Sequence, residues 1–475
     1  HCSFLPEEAT VKKRECFVHP YIPNSVPAIQ EQMLKEIGVR SIEELYADIP
    51  KELRFERRMK LPPPILAECE LKQHSEQILA RNESCDESLS FLGGGCARHY
   101  VPAICDEINH RAEFLTAYAG EPYDDHGRFQ ALFEYASLMG ELLEMDVVNV
   151  PTYDGFQASA TALRMAARIT GRSEVLVSRA ISGDKLSKVR DYLRPRLTVK
   201  VWDFDPATGA PDLGRLEDSI SEETAAVYLE NPSYLGVIAP HASKISDMAH
   251  GAGALAVVGV NPSTLGIIAP PVRYGADIVT GDLQPLGMHM QYGGGHAGFI
   301  ATRDDPRFVL EYPSRLFGIT STSVDGEYGF GDVAYERTSF ARREGGKEWV
   351  GTASALWGIT AGAYLALLGP EGMRELGESM FARAHYAAGR LSRIPGIRAP
   401  RLRGPFFHEF TVDVRRTGMT VARVLRGLAR RGIFGGPDLS REFPDLQGCL
   451  LLSVTEVHAQ GDLDRLADAV REVVA

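Results

Sequence analysis

The segment Pro151-Thr152-Tyr153-Asp154-Gly155-Phe156-Gln157 joins a short apolar run to a helical pattern. Where a helix starts, the first backbone N–H groups lack partners and the dipole presents its positive end, so an anion is attracted there. A strand-to-helix loop is also simply how every α/β unit turns, and both readings stay open. Gly93-Gly94-Gly95 follows no clear strand and lacks the setting of a dinucleotide fingerprint; a tight loop accounts for it. No G-x-x-x-x-G-K-[ST] occurs, and the thirteen His and seven Cys form no HExxH or CxxC, so neither a P-loop nor a metal is expected. His126, preceded by Asp124 and Asp125, could act as an acid or base, or belong to a solvated acidic turn. Arg342 and Arg343 carry forks that match the two oxygens of a carboxylate or phosphate, although Arg on a helix surface is commoner. Trp349, beside Lys347 and Glu348, lines a pocket or fills a hydrophobic gap.

Positioning these residues falls to alternating strands and helices. Apolar strands are predicted at Val147–Val150, Val175–Val177, Val199–Trp202, Ala225–Leu229, Ala254–Val260, Asp277–Thr280 and Ala297–Ala301, with helices such as Ala158–Ile169 and Lys244–His250 between several of them. That order implies a seven-stranded, mostly parallel sheet covered on both faces. Helical periodicity precedes it at Ile104–Tyr118 and Phe129–Met145. Past Leu365 the order is helix (Pro370–Arg390), strand (Phe407–Val414), helix (Val421–Arg431), strand (Leu450–Val454) and helix (Leu463–Val474), a small α/β lobe. Toward the other end, Ser41 and Glu44 have the spacing of a capping box opening a short helix. The expected division is an N-terminal helical arm at 1–90, a large α/β domain at 91–364 and a small C-terminal α/β domain at 365–475.

The chain has 475 residues, about three times the ~150-residue prior for one domain. Hydrophobic residues at 44% and charged residues at 24% are ordinary globular values and exclude a disordered or collagen-like protein. With 51 basic against 63 acidic residues the net charge is −12, which argues against nucleic acid or an anionic membrane as partner. Seven Cys without paired spacing suit a reduced, cytoplasmic chain. The longest apolar runs fall short of the ~18–20 residues of a membrane span. The opening His1-Cys2-Ser3, without an apolar h-region, is read as a numbering offset or added residues rather than a signal peptide.

Long stretches carry a resemblance: FLGGGCARHYVPAICDEI (91–108), EFLTAY (113–118), GADIVTGDLQPLG (275–287), YGGGHAGFIATR (292–303), YLALLGPEGM (364–373), AHYAAGRLSRIPGI (384–397) and GPFFHEF (404–410), with an arm at 22–50. The chain resembles subunit 1 of the two-subunit glycine cleavage P-protein, glycine decarboxylase. The resemblance implies a fold type I, pyridoxal phosphate (PLP) transferase-like α/β domain with a small C-terminal domain. In that fold a Lys after a late strand holds the cofactor aldehyde as an imine. The corresponding stretch here is Asp277-Ile278-Val279-Thr280-Gly281-Asp282-Leu283-Gln284-Pro285, where Pro285 stands at the Lys position, and none of the eleven Lys lies between Lys244 and Lys347. Asn261 likewise stands where a carboxylate would hold the pyridine nitrogen, and a neutral amide cannot give that charge-assisted contact.

The resemblance therefore implies an oxidoreductase subunit that is inactive alone, holds no PLP covalently, and forms a heterodimer or heterotetramer with a PLP-bearing subunit 2. Glycine would lose its carboxyl as CO2 and its aminomethyl carbon would pass to a lipoyl carrier protein. This chain would contribute Tyr118, His126 and Tyr153 at the interface, Asp154, Gly155 and His296 as cofactor contacts, and His99, Glu121, Tyr123, Arg342, Arg343 and Trp349 toward substrate or partner. Departures sit in loops. Ala119 to Gly127 is one residue shorter than the family's Thr-Pro-Tyr-Gln-Pro-Glu-Ile-Ser-Gln-Gly, and Gly-Gly-Pro-His becomes Gly293-Gly294-Gly295-His296. Loops set chemistry on a retained scaffold, so a paralogue acting with a partner on another amino acid or amine is an open alternative, as is a non-catalytic scaffold.

Overall fold

The computed structural model describes residues 18–19, 21–55, 60–114, 126–347 and 354–475, with the backbone alone at 126 and 127. Two compact units divide between Asn82 and Glu83. In the first, α1 (Pro27–Ile37) and α2 (Glu68–Leu79) bury no residue. Ile42–Tyr46 is a single 3-10 turn and not a capped α-helix: the Ser41 side chain makes no capping bond, and Glu44 Oε2 accepts from the Arg40 N–H at 3.1 Å. The tighter winding carries the carboxylate past the Ser41 amide to the one before it.

The second unit opens with β1 (Leu89–Ser90), α3 (Ala103–His110) and α4 (His126–Leu143). Then come β2 (Val147–Val148), α5 (Gly155–Thr170), β3 (Glu174–Ser178), α6 (Gly183–Leu193), β4 (Thr198–Trp202), α7 (Leu213–Ser219), β5 (Thr224–Glu230) and α8 (Ala242–Gly251). After β6 (Leu255–Val260), β7 (Ile278–Asp282), β8 (Gly298–Thr302) and α9 (Pro306–Val309) comes a hairpin of β9 (Phe317–Ser321) and β10 (Tyr328–Asp332). The C-terminal part is α10 (Ala355–Leu391), β11 (Glu409–Asp413), α11 (Val421–Ala429), β12 (Ile433–Phe434), β13 (Cys449–Ser453) and α12 (Gln460–Val474).

All seven predicted strands form one sheet in the order β2-β8-β7-β6-β5-β3-β4, in which β8 alone runs antiparallel to its neighbours. Every residue of β6, and all of β5 except Glu230, is buried, which explains their unbroken apolar runs: a sheet covered on both faces has no solvent side to alternate with. One covering helix, α5, has Ala at five of its sixteen positions, all of them buried, and these short side chains let it lie against β5 to β8. Asp154 caps it by accepting the Gln157 N–H at 2.7 Å, and Gly171 in the left-handed region ends it.

Gly358–Gly362, Tyr364 and Leu365 of α10 are buried, and the helix packs on α3 and α4; beyond Gly369 and Pro370 it supplies Ala384, Ala387, Ala388 and Leu391 to the C-terminal core. Helical periodicity expected through Tyr118 stops at His110, after which Arg111 is extended; residues 115–118 lie outside the described residues. The β9–β10 hairpin was not expected, because Tyr328-Gly329-Phe330-Gly331 offers half its positions to a residue depleted in strands. No helix among the described residues is long and apolar enough to cross a membrane.

Candidate functional site

Parallel strands leave a crevice beyond their carboxyl ends, and here it is a cavity of about 370 Å³. Glu230, Asn261 and Asp282, at or just past the ends of β5, β6 and β7, enter it from the sheet. Gly155 and Lys185 enter from the first turns of α5 and α6, the loop 93–97 covers it, and His408 and Glu409 reach it from the C-terminal lobe.

The anion position at the start of α5 is filled from within the chain. Asp282 Oδ2 accepts the Gly155 N–H at 2.9 Å, Oδ1 accepts the Gln284 N–H at 3.0 Å, and His296 Nδ1 lies 3.1 Å away. Asp282, with the Cys96 thiol beside it, pushes the His296 pKa up to about 10, so the ring is an imidazolium at neutral pH. Across the cavity Lys185, placed by the Ser182 cap of α6, meets Glu230 at 2.6 Å. Burial alone would lower the Lys185 pKa, but Glu230 and Tyr228 more than offset it and the net direction is upward. Phe156 and Tyr228 present their rings to the same ammonium at 5.7 and 5.4 Å.

The third wall comes from the C-terminal part and the 93–99 segment. Burial, reinforced by His99, pushes His408 down to about 3, so it is a neutral ring; its Nε2 lies 3.1 Å from the Asn261 amide nitrogen and accepts from it. Asn261 Oδ1 accepts from Ser263, N–H at 3.0 Å and hydroxyl at 2.7 Å. Burial pushes Glu409 up to about 7, although Oε1 accepts the Gly94 N–H at 2.7 Å. This close approach requires Gly93, since a Cβ there would meet Glu409 Oε1 and the Ser453 side chain. His99 is buried with Nδ1 3.0 Å from Glu456 Oε2, while Glu456 Oε1 accepts the Tyr100 N–H at 2.7 Å.

Of the residues singled out in the sequence, Asp154, Gly155, His99, Pro285 and His296 all line this cavity. Tyr153 does not: its side chain is exposed and its N–H goes to Gln157 Oε1 at 3.0 Å. Arg342 and Arg343 are exposed in the 3-10 segment Ser339–Gly345, away from the cavity lining. Tyr118, Glu121, Tyr123 and Trp349 lie outside the described residues, as does the side chain of His126. Lys185, Glu230, Tyr234, His408 and Glu409 were not picked out. The run GPFFHEF contains the last two, but nothing local in it says that an acid is buried; only the Gly triplet hinted at a close approach.

The sheet order and this cavity define the class of fold type I PLP-dependent enzymes. Two solved structures share the fold: a Burkholderia pseudomallei sphingosine-1-phosphate lyase (17% identity, TM-score 0.63, 90% of this chain and 94% of that one) and the Escherichia coli cysteine desulfurase CsdA (17%, 0.60, 84% and 98%). Within the class the family is specific. Glycine cleavage system P-protein matches residues 19–470, and the chain belongs to that family. Proteins named "Probable glycine dehydrogenase (decarboxylating) subunit 1" are 37% identical in Staphylothermus marinus (96% of this chain, 98% of the relative) and 39% in Aeropyrum pernix (96% and 99%). A crystal structure of inhibitor-bound glycine decarboxylase (P-protein) is 34% identical, with a TM-score of 0.81 over 96% of this chain and 100% of that one.

The cavity does not fit the cofactor of that class. Pro285 opens onto it without an amine, and Lys185, the one lysine in its lining among the described residues, is ion-paired with Glu230. Asn261 is neutral and already bonded to Ser263 and His408. At the helix start that would serve a phosphate, the Asp282 carboxylate occupies the Gly155 N–H and would repel a second anion.

Proposed function

We propose that this chain is subunit 1 of a two-subunit glycine dehydrogenase (decarboxylating), an oxidoreductase that removes the carboxyl of glycine only in company with a subunit that carries the PLP. The family match over residues 19–470 supports the activity, and the mismatch between this cavity and the cofactor supports the division of labour. The single observation that carries the reading is the Asp282 carboxylate on the Gly155 N–H: a phosphate site closed from inside supports cofactor binding elsewhere. This chain then supplies the fold and the interface, with Tyr118, Glu121, Tyr123 and Trp349 among the residues we assign to substrate or partner.

The test is co-expression with the candidate PLP subunit and an assay of bicarbonate exchange into the glycine carboxyl. Exchange should require both chains, and this chain treated with PLP and borohydride should keep no adduct. Full exchange by this chain and PLP alone would overturn the reading. Exchange absent with glycine but present with another amino acid, in the two-chain complex, would instead select the paralogue alternative.

A further inference from the structure

Helix α11 has two opposite faces. Val421, Val424 and Leu428 are buried, whereas Arg423, Arg426 and Arg430, the last just past the helix end, are exposed. At about 100° per residue the three arginines fall within a sector of about 60° opposite the buried side chains, and they span about 10 Å along the axis. Local physics gives this stripe no support. Side chains three and four apart are neighbours on a helix, so the three guanidinium groups repel one another, and no acidic residue stands between Asp413 and Asp438 to separate them. Arg423 lies in the first turn, where its N–H donates to the Thr420 cap at 3.3 Å and its charge meets the positive end of the helix. Elsewhere the same lobe partners its arginines, Arg390 with Asp464, Arg415 with Asp413, Arg431 with Glu472 and Arg471 with Asp468. The side chains of Arg423, Arg426 and Arg430 have no ion pair or hydrogen bond among the described residues. In a chain of net charge −12, residues 365–475 hold 16 Arg and no Lys against 13 acidic residues, so the positive charge gathered here is guanidinium alone.

We propose that the exposed face of α11 docks an acidic helix of another protein, one that carries carboxylates three and four residues apart. A guanidinium fork matches the two oxygens of a carboxylate, and carboxylates at that spacing meet the three forks in register. Nucleic acid fits less well: duplex binding draws on more phosphate contacts than three cations supply, and α11 has no aromatic ring on which a single strand could stack. An anionic bilayer fits less well too, because the other exposed residues of α11 are Ala422 and Ala429, which offer nothing large to insert. This face lies outside the cavity and does not rest on the proposed function.

The experiment is surface plasmon resonance on the full chain, immobilised through a terminal tag, at about 50 mM salt, where screening is weak. Alanine-based peptides of about 20 residues, long enough to be helical in water, are injected. In one, glutamates follow the three-then-four spacing of the arginines; in a second of equal composition they are spread over all faces. The striped peptide should bind saturably, roughly 10-fold more tightly than the spread one, and weaken steeply as salt is raised. The triple variant Arg423→Gln, Arg426→Gln, Arg430→Gln should bind it roughly 10-fold more weakly, the worth of a few exposed ion pairs, and should melt no lower than the parent because it removes repulsion. A twenty-residue oligothymidylate and phosphatidylserine vesicles are injected alongside. No saturable response up to about 2 mM striped peptide, equal binding of the spread peptide, or undiminished binding by the folded triple variant would each overturn the proposal. Tighter binding of the oligonucleotide or of the vesicles than of the striped peptide would overturn it as well. Because no PLP subunit and no turnover enter the measurement, its failure leaves the proposed function untouched, and the reverse holds as well.

Discussion

At Glu409 a carboxyl is held where its ionisation is costly, and the consequence is a stability that depends on pH. Burial raises its folded pKa to about 7 from an ordinary value of 4.5. A raised acid contributes its stability fully below the unfolded value and loses it as pH climbs through the folded one, so the window runs from about pH 4.5 to 7. Glu409→Gln has nothing to ionise. It should be more stable than the parent at pH 8 by an amount on the order of 2–3 kcal/mol and gain little at pH 4.5. Urea denaturation of both proteins at the two pH values reads this directly, and an equal difference at both would show that the carboxyl is not the group responsible. Lys185 predicts the opposite kind of loss. Lys185→Met strands the half-buried Glu230 carboxylate without its cation and should cost about 3 kcal/mol, whereas adding Glu230→Gln should recover much of that. If the double variant is as weak as the single, the two side chains are not coupled.

At the scale of elements, α10 is the joint between the sheet and the C-terminal lobe, and it turns on one residue. Gly369 has φ +59 and ψ −176, a conformation essentially reserved for Gly, with Pro370 next. Nothing lies within 4 Å of a Cβ placed there, so Gly369→Ala should lose about 1–3 kcal/mol through backbone strain alone. A urea midpoint unchanged from the parent would mean that the chain relaxes at that turn. This joint also marks the limit of what the sequence disclosed. Val175–Val177 and Ala254–Val260 announced strands because burial on both faces leaves an unbroken apolar run. Tyr328–Asp332 did not, since its glycines carry no such signal. Asp154 and Gly155 were legible as a helix start because capping is a local event. The cavity's acid was not: Glu409 lies 315 residues from the Gly94 amide that it contacts, and no spacing rule reaches that far.

Over the whole molecule the two compact units differ in kind. The large apolar clusters of the second unit include no residue before Leu89, so that unit carries its own cores. In the first, α1 and α2 have 11 and 12 residues and bury none, while Ile29, Met33, Ile37, Leu71, Ile78 and Leu79 stand exposed on them. Helices of that length are marginal in water unless an apolar face is covered, and so many exposed apolar side chains mark a surface built to be covered. A chain beginning at Glu83 should therefore fold, with a melting temperature within about 3 °C of the full chain, since it gives up no core. The same truncation should lose the partner subunit proposed above in co-purification, because it removes these exposed apolar side chains. Melting curves and a tagged pull-down separate the two claims. A truncated chain that melts far lower would place the arm in the fold, and one that still retains the partner fully would confine the interface to residues 83–475.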